Sequence, residues 1–132
     1  MNSQTNTLEE CYEFLLSFAA QGLTAEKDSE RDRHLRAHLQ RAVDALRSLE
    51  SSSEELVRQA DLQPVEKYQA FFAIMVHDAK KASTAIELVL VQPAISAQLI
   101  DNLNASMHLR TLLTDLFLIS EVLKPLEAHA AN

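Results

Sequence analysis

Glycine occurs once in 132 residues, proline three times and tryptophan not at all. A sheet protein needs turn residues every ~8–12 positions, and this chain cannot supply them. Long helices joined by few connections can, so the fold class is all-α. Cysteine is nearly missing too. Cys11 stands alone, which excludes an internal disulfide and points to a reducing compartment. No uncharged apolar run reaches the length of a membrane span. The N-terminus has no basic segment ahead of an apolar one, and Glu9, Glu10 and Glu13 interrupt its apolar residues, so it does not read as a signal peptide. Positive charge is in short supply: 12 Lys and Arg stand against 19 Asp and Glu, a formal net charge of -7. That argues against a nucleic-acid backbone as the main partner, because such binding rests on neutralising phosphates. The polybasic cluster required at an anionic membrane surface is also absent. A cytoplasmic domain whose partner is another protein is the expectation.

What the chain does have is apolar residues, 47% of the total, set at helical spacing. One domain over residues 1–132 suits the length. After a polar tail, "MNSQTN", a short first helix is expected to start after Asn6 or Thr7. Each is followed three residues on by a Glu, the spacing of a capping box. Gly22 stands where a helix C-cap takes a left-handed residue, and Thr24 can cap the second helix. In that helix Leu35, Leu39, Ala42, Leu46, Leu49, Ser53, Leu56 and Ala60 form an unbroken heptad seam. The seam predicts one continuous helix through the serines at 51–53. Pro64 opens a third helix over 64–91, closed by Pro93, and a fourth runs from about Ala94 to Leu123, with Pro125 at its end or at a kink. The short "QPAI" link makes the last two an antiparallel hairpin over 64–123. The expected architecture is an antiparallel four-helix bundle of one short and three long helices. The third and fourth helices are apolar over more than one stripe: Phe71, Ile74 and Leu88 flank the seam of the third. Such helices must be covered on several sides, by the first two helices or by a second copy of the chain, and the second option is a homodimer.

The third helix carries its seam on Tyr68, Phe72, Met75, Ala79, Ala82, Ile86 and Val89. The opposite stripe is Gln69, Ala73, His77, Lys80, Thr84 and Glu87, which places His77 in the middle of the polar side. An exposed histidine on a helix is most often only surface. This one has Asp78 beside it and Lys80 and Lys81 three and four residues on, where helical side chains meet. An imidazole with a carboxylate and ammonium groups as neighbours is suited to accept a phosphoryl group.

"HDAKKASTAI", residues 77–86, resembles the phospho-accepting box in the dimerisation and phosphotransfer region of sensor histidine kinases. The matching residues are His77, Asp78, Lys80, Thr84, Ala85 and Ile86. "LLTDLFLIS", residues 112–120, is similar to a segment of that region's second helix, so the likeness covers 64–123. It implies that His77 carries the phosphoryl group, that Asp78 is the adjacent acid–base residue, and that Lys80 assists the phosphate. It also implies a dimer, and a response-regulator receiver domain as partner. Departures are plain. Lys81 replaces the usual Thr or Asn, a position linked to dephosphorylating the partner; Ala82 replaces the kinking Pro; Ala79 and Ser83 replace leucines. With one glycine there is no glycine-rich lid, so this chain does not phosphorylate itself from ATP, and no cofactor is expected. A free-standing histidine phosphotransfer domain is similar in size and helix count. It usually has Gly where Lys81 stands.

"RHLRAH", residues 33–38, offers a second constellation. His34 and His38 have the spacing of a two-histidine metal pair, but His77, His108 and His129 lack the Glu-x-x-His pattern that would complete a bundle metal site, so no metal is expected. The same residues resemble the Arg-x4-His motif of HEPN ribonucleases and toxin–antitoxin proteins through Arg33, His34 and His38. The plainer reading is a charged outer helix face. Cys11 lies among apolar positions and reads as core. The sequence thus admits three functions: phosphotransfer through His77, a non-enzymatic adaptor or chaperone that presents a groove to a partner helix, and an RNA-cleaving protein.

Overall fold

The computed structural model describes residues 1–23 and 28–131, with side chains for 1–23 and 28–126. Among these residues there are five helices and no strand: α1 (Asn2–Gln21), α2 (Glu30–Gln59), α3 (Val65–Leu90), α4 (Ala97–Ala105) and α5 (His108–Ala131). Their packing is that of a helical bundle, and none of them is long and apolar enough to cross a membrane.

The first helix is not short, and its polar start is not a tail. α1 has 20 residues and begins without a side-chain cap. Thr5 and Thr7 hydroxyls donate back to the carbonyls of Met1 and Ser3, at 3.1 and 3.0 Å. Gln4 Nε2 reaches across to Ser48 and Ser52 on α2, at 3.2 and 2.7 Å. Cross-helix hydrogen bonds of this kind leave no trace in hydrophobic spacing. At the other end Gly22 takes the left-handed conformation, φ 62°, and its N–H donates to Ala19. Thr24 lies outside the described residues, and the cap of α2 is Ser29, whose Oγ accepts from the Asp32 N–H at 3.0 Å.

α2 is continuous over 30 residues, as its seam predicts. The serines are absorbed because Ser51 and Ser53 hydroxyls bond to carbonyls one turn back, and Ser53 is buried within the seam. In α3, Pro64 serves as the N-cap, and the helix starts at Val65, one position after the expected start. Phe72, Met75, Ala79, Ala82, Ile86 and Val89 are all buried, so the α3 seam faces the core as read. Arg36 of α2 holds the far end of α3. Its Nη1 donates to the Leu90 carbonyl and its Nη2 to the Gln92 carbonyl, both at 2.8 Å, while Nε pairs with Asp32 at 2.9 Å.

The expected fourth helix is two helices. α4 ends at Ala105, Met107 is left-handed with φ 65°, and α5 starts at His108. No glycine or proline marks this break. Asn104 and Ser106 supply it: Asn104 Nδ2 donates to the Leu15 carbonyl of α1 at 3.2 Å, and Ser106 Oγ donates to Leu103 at 2.6 Å. Such side chains offer the backbone an alternative to the helix ladder. α4 packs chiefly on α1 through Ala97 and Ile100. α5 then returns along α3 in the opposite direction, with Leu118 and Val122 near Phe71 and Asp115 against Asp78. The α3–α5 pair expected from sequence is therefore present, but α4 intervenes between its members. Pro125 does not end the last helix, since α5 runs through it to Ala131.

Leu8, Leu15, Leu35, Leu39, Leu49, Met75, Ile86, Ile100, Leu112 and Leu116 form the centre of one continuous core drawn from all five helices. Each such side chain stabilises the fold by about 1.5–3 kcal/mol relative to an exposed one. The residues on the outer side of α3 therefore rest on a fixed rod.

Candidate functional site

His77 is exposed near the middle of α3, as the spacing requires. Its neighbours are less simply arranged. Lys80 also points away from the core, and its Nζ stands 3.9 Å from Glu50 Oε2 on α2. Both side chains are largely in water (70% and 55% exposed), so this contact holds Lys80 only loosely. Further along the helix, Glu87 pairs with Arg47 of α2 at 2.9 Å. The polar stripe of α3 thus leans towards α2 on one side of His77.

Asp78 leaves the stripe on the other side. It is half-buried and meets Asp115 of α5 rather than flanking the ring. Asp115 Oδ2 is buried without a hydrogen-bond donor, and the group opposite it is another carboxyl. Burial first, then the Asp78 carboxyl, push Asp115 up to about 7. A proton on Asp115 lets the two carboxyls lie together. Asp115 sits in the "LLTDLFLIS" segment, but nothing in the spacing pairs it with Asp78. A polar residue inside an apolar run is the available signal.

Beside this pair runs a shallow apolar groove between the start of α3 and the second half of α5, lined by Lys67, Tyr68, Phe71, Leu118, Ile119 and Val122. Leu118 is 55% exposed and Ile74, one turn above Phe71, is 56% exposed.

The α2 constellation is placed differently. Arg33 and His38 are five residues apart and point to different sides of the helix. Arg33 Nη1 donates to the Asp28 carbonyl at 2.6 Å, and His38 stacks on Phe14 of α1 with ring centroids 4.0 Å apart. Burial, and then the Arg41 and His34 charges, hold His38 below the ordinary imidazole range, and Arg41 donates to its Nδ1 at 3.1 Å. His34 meets His38 edge-on, centroids 6.5 Å apart. Among the described residues no group of three or more His, Cys, Asp or Glu side chains gathers as a metal site would. His129 lies outside the described side chains. Cys11 is buried in the core, where desolvation pushes its thiol up to about 12, so it is not a nucleophile.

No protein-family model matches the chain, and comparison with curated proteins and with solved structures gives no match either.

Proposed function

We propose that the chain is a histidine phosphotransfer-type signalling protein that exchanges a phosphoryl group with the aspartate of a receiver domain. The observation that carries this reading is the open imidazole of His77, midway along a rod whose opposite seam is buried. The supporting framework is an up-and-down bundle of α1, α2, α3 and α5, with α4 as an added arm on α1.

In the transfer, a ring nitrogen of His77 attacks the phosphorus of the partner's aspartyl phosphate. A nitrogen–phosphorus bond forms, the bond to the aspartyl oxygen breaks, and that oxygen leaves as carboxylate. The receiver domain supplies the metal and most of the charge stabilisation. Lys80 releases Glu50 at little cost and follows the phosphate oxygens. Asp78 takes the ring proton only by turning away from Asp115, so its part is smaller than the family resemblance implies. Incubation with receiver domains carrying labelled aspartyl phosphate should leave acid-labile label on the chain, and His77→Gln should remove it. Absence of label from a broad set of receivers refutes the reading.

The adaptor reading is favoured by one observation, the α3–α5 groove around Phe71 and Leu118. It calls for stoichiometric protein binding that survives His77→Gln and is lost in Leu118→Lys.

A further inference from the structure

α3 carries a second heptad seam. Lys67, Phe71, Ile74, Asp78, Lys81, Ala85 and Leu88 succeed each other at alternating spacings of four and three residues. Phe71, Asp78 and Ala85 are half-buried, on the side of α3 towards α5, whereas Ile74 and Leu88 are 56% and 65% exposed and Lys67 and Lys81 stand in solvent. None of the ion pairs among the described residues uses Asp78, Lys81 or Lys67. The chain's own helices therefore cover this seam by half and leave its charges unmatched.

We infer that α3 pairs with α3 of a second copy, antiparallel about a two-fold axis between residues 79 and 80, with Asp78 of each copy against the partner's Lys81. The seam reads as its own complement. In antiparallel helices each layer sets one type of seam position against the other. About this axis Phe71 meets the partner's Leu88, Ile74 meets the partner's Ala85, and Asp78 meets the partner's Lys81; the remaining three layers repeat these by symmetry. Every layer is apolar on apolar or acid on base.

Other arrangements fit worse. Sliding by half a heptad in either direction sets Asp78 or Lys81 against apolar side chains. Moving the axis by a full heptad towards the N-terminus, a slide of two heptads, keeps charge matching through Lys67 but leaves Leu88 uncovered. A parallel pair stacks Asp78 on Asp78 and Lys81 on Lys81, which opposes association. The antiparallel pair also brings a cation to the Asp78–Asp115 carboxyls, which have none among the described residues.

The test is sedimentation equilibrium of the full chain. The expected mass is twice the 14.8 kDa of one copy. Asp78→Lys and Lys81→Asp, each alone, place like charges across the axis and should weaken the dimer by at least about tenfold. An equimolar mixture of these two variants should dimerise again, because both charged layers of the mixed pair then set the two basic side chains of one copy against the two acidic side chains of the other; the double variant should recover likewise. Circular dichroism confirms that each variant is folded. A wild-type chain that stays monomeric at all concentrations overturns the inference. So does a dimer indifferent to both single changes, or a double variant that is folded and fails to associate.

Discussion

α2 and α3 are the two longest helices, and each lays one unbroken heptad seam against the core. Their outer sides differ. α2 turns Arg33, Gln40, Arg41, Asp44 and Arg47 outward, and the chain's own helices cover its large apolar residues wholly or in part. α3 has a second apolar stripe through Ile74 and Leu88 that nothing among the described residues covers fully. A helix with one seam is satisfied by one chain. A helix with two leaves a stripe that its own chain's described residues cover only in part. That difference separates a structural helix from one available for function, and it can be broken experimentally.

The sharpest contrast lies within α3. Met75 is fully buried and Ile74 is more than half exposed. Met75→Ala should lower unfolding free energy by about 3 kcal/mol, whereas Ile74→Ala should stay within ~0.5 kcal/mol at concentrations where the chain is monomeric. Urea denaturation of both variants measures the gap, and equal effects would mean that the two seams are not distinct.

Next comes the tie between the two helices. Arg36→Ala strips the Leu90 and Gln92 carbonyls of their donor and leaves the buried Asp32 carboxylate without its cation. The loss should be about 2–3 kcal/mol, read by the same denaturation and accompanied by faster amide exchange in the last turn of α3.

A smaller effect, of opposite sign, is expected at Asp115. Its folded-state value, about 7, lies above the 3.8 of an unperturbed aspartate, so between those limits the native state holds a proton that the unfolded state has released. Stability from this group is therefore fully present below about 4 and is lost as pH rises towards 7. Asp115→Asn should raise stability by ~1 kcal/mol at pH 8 after solvent screening is allowed for, with the gain shrinking below pH 5. A gain that does not change with pH would deny the carboxyl pair.

The smallest effect belongs to His77. His77→Gln should leave the melting temperature unchanged, because an exposed ring on the outer side of α3 carries no packing. A clear fall in thermal melts would place that ring in a structural role.

Legibility divides along the same line. The seams of α2 and α3 are readable because burial repeats with the helix period, and the exposure of His77 comes from its place opposite a seam. The break at Met107 is hidden, since Asn104 does its work through a carbonyl 89 residues away on α1. The polar opening of α1 looks like a tail for the same reason, its anchors being Ser48 and Ser52. Asp78 looks like a neighbour of His77 because adjacency in the chain is visible and direction around the helix is less so. A rotation of about 100° per residue carries its carboxyl to α5.

Composition and spacing were sufficient for an all-helical chain, the length of α2, the inward faces of α2 and α3, and the outward ring of His77, because helix period and turn chemistry are local. Which helix lies beside which, where α4 leaves the line of α5, and the meeting of Asp78 with Asp115 came only with the packed chain. Those features depend on contacts between residues distant in sequence, and no local pattern encodes a partner's position.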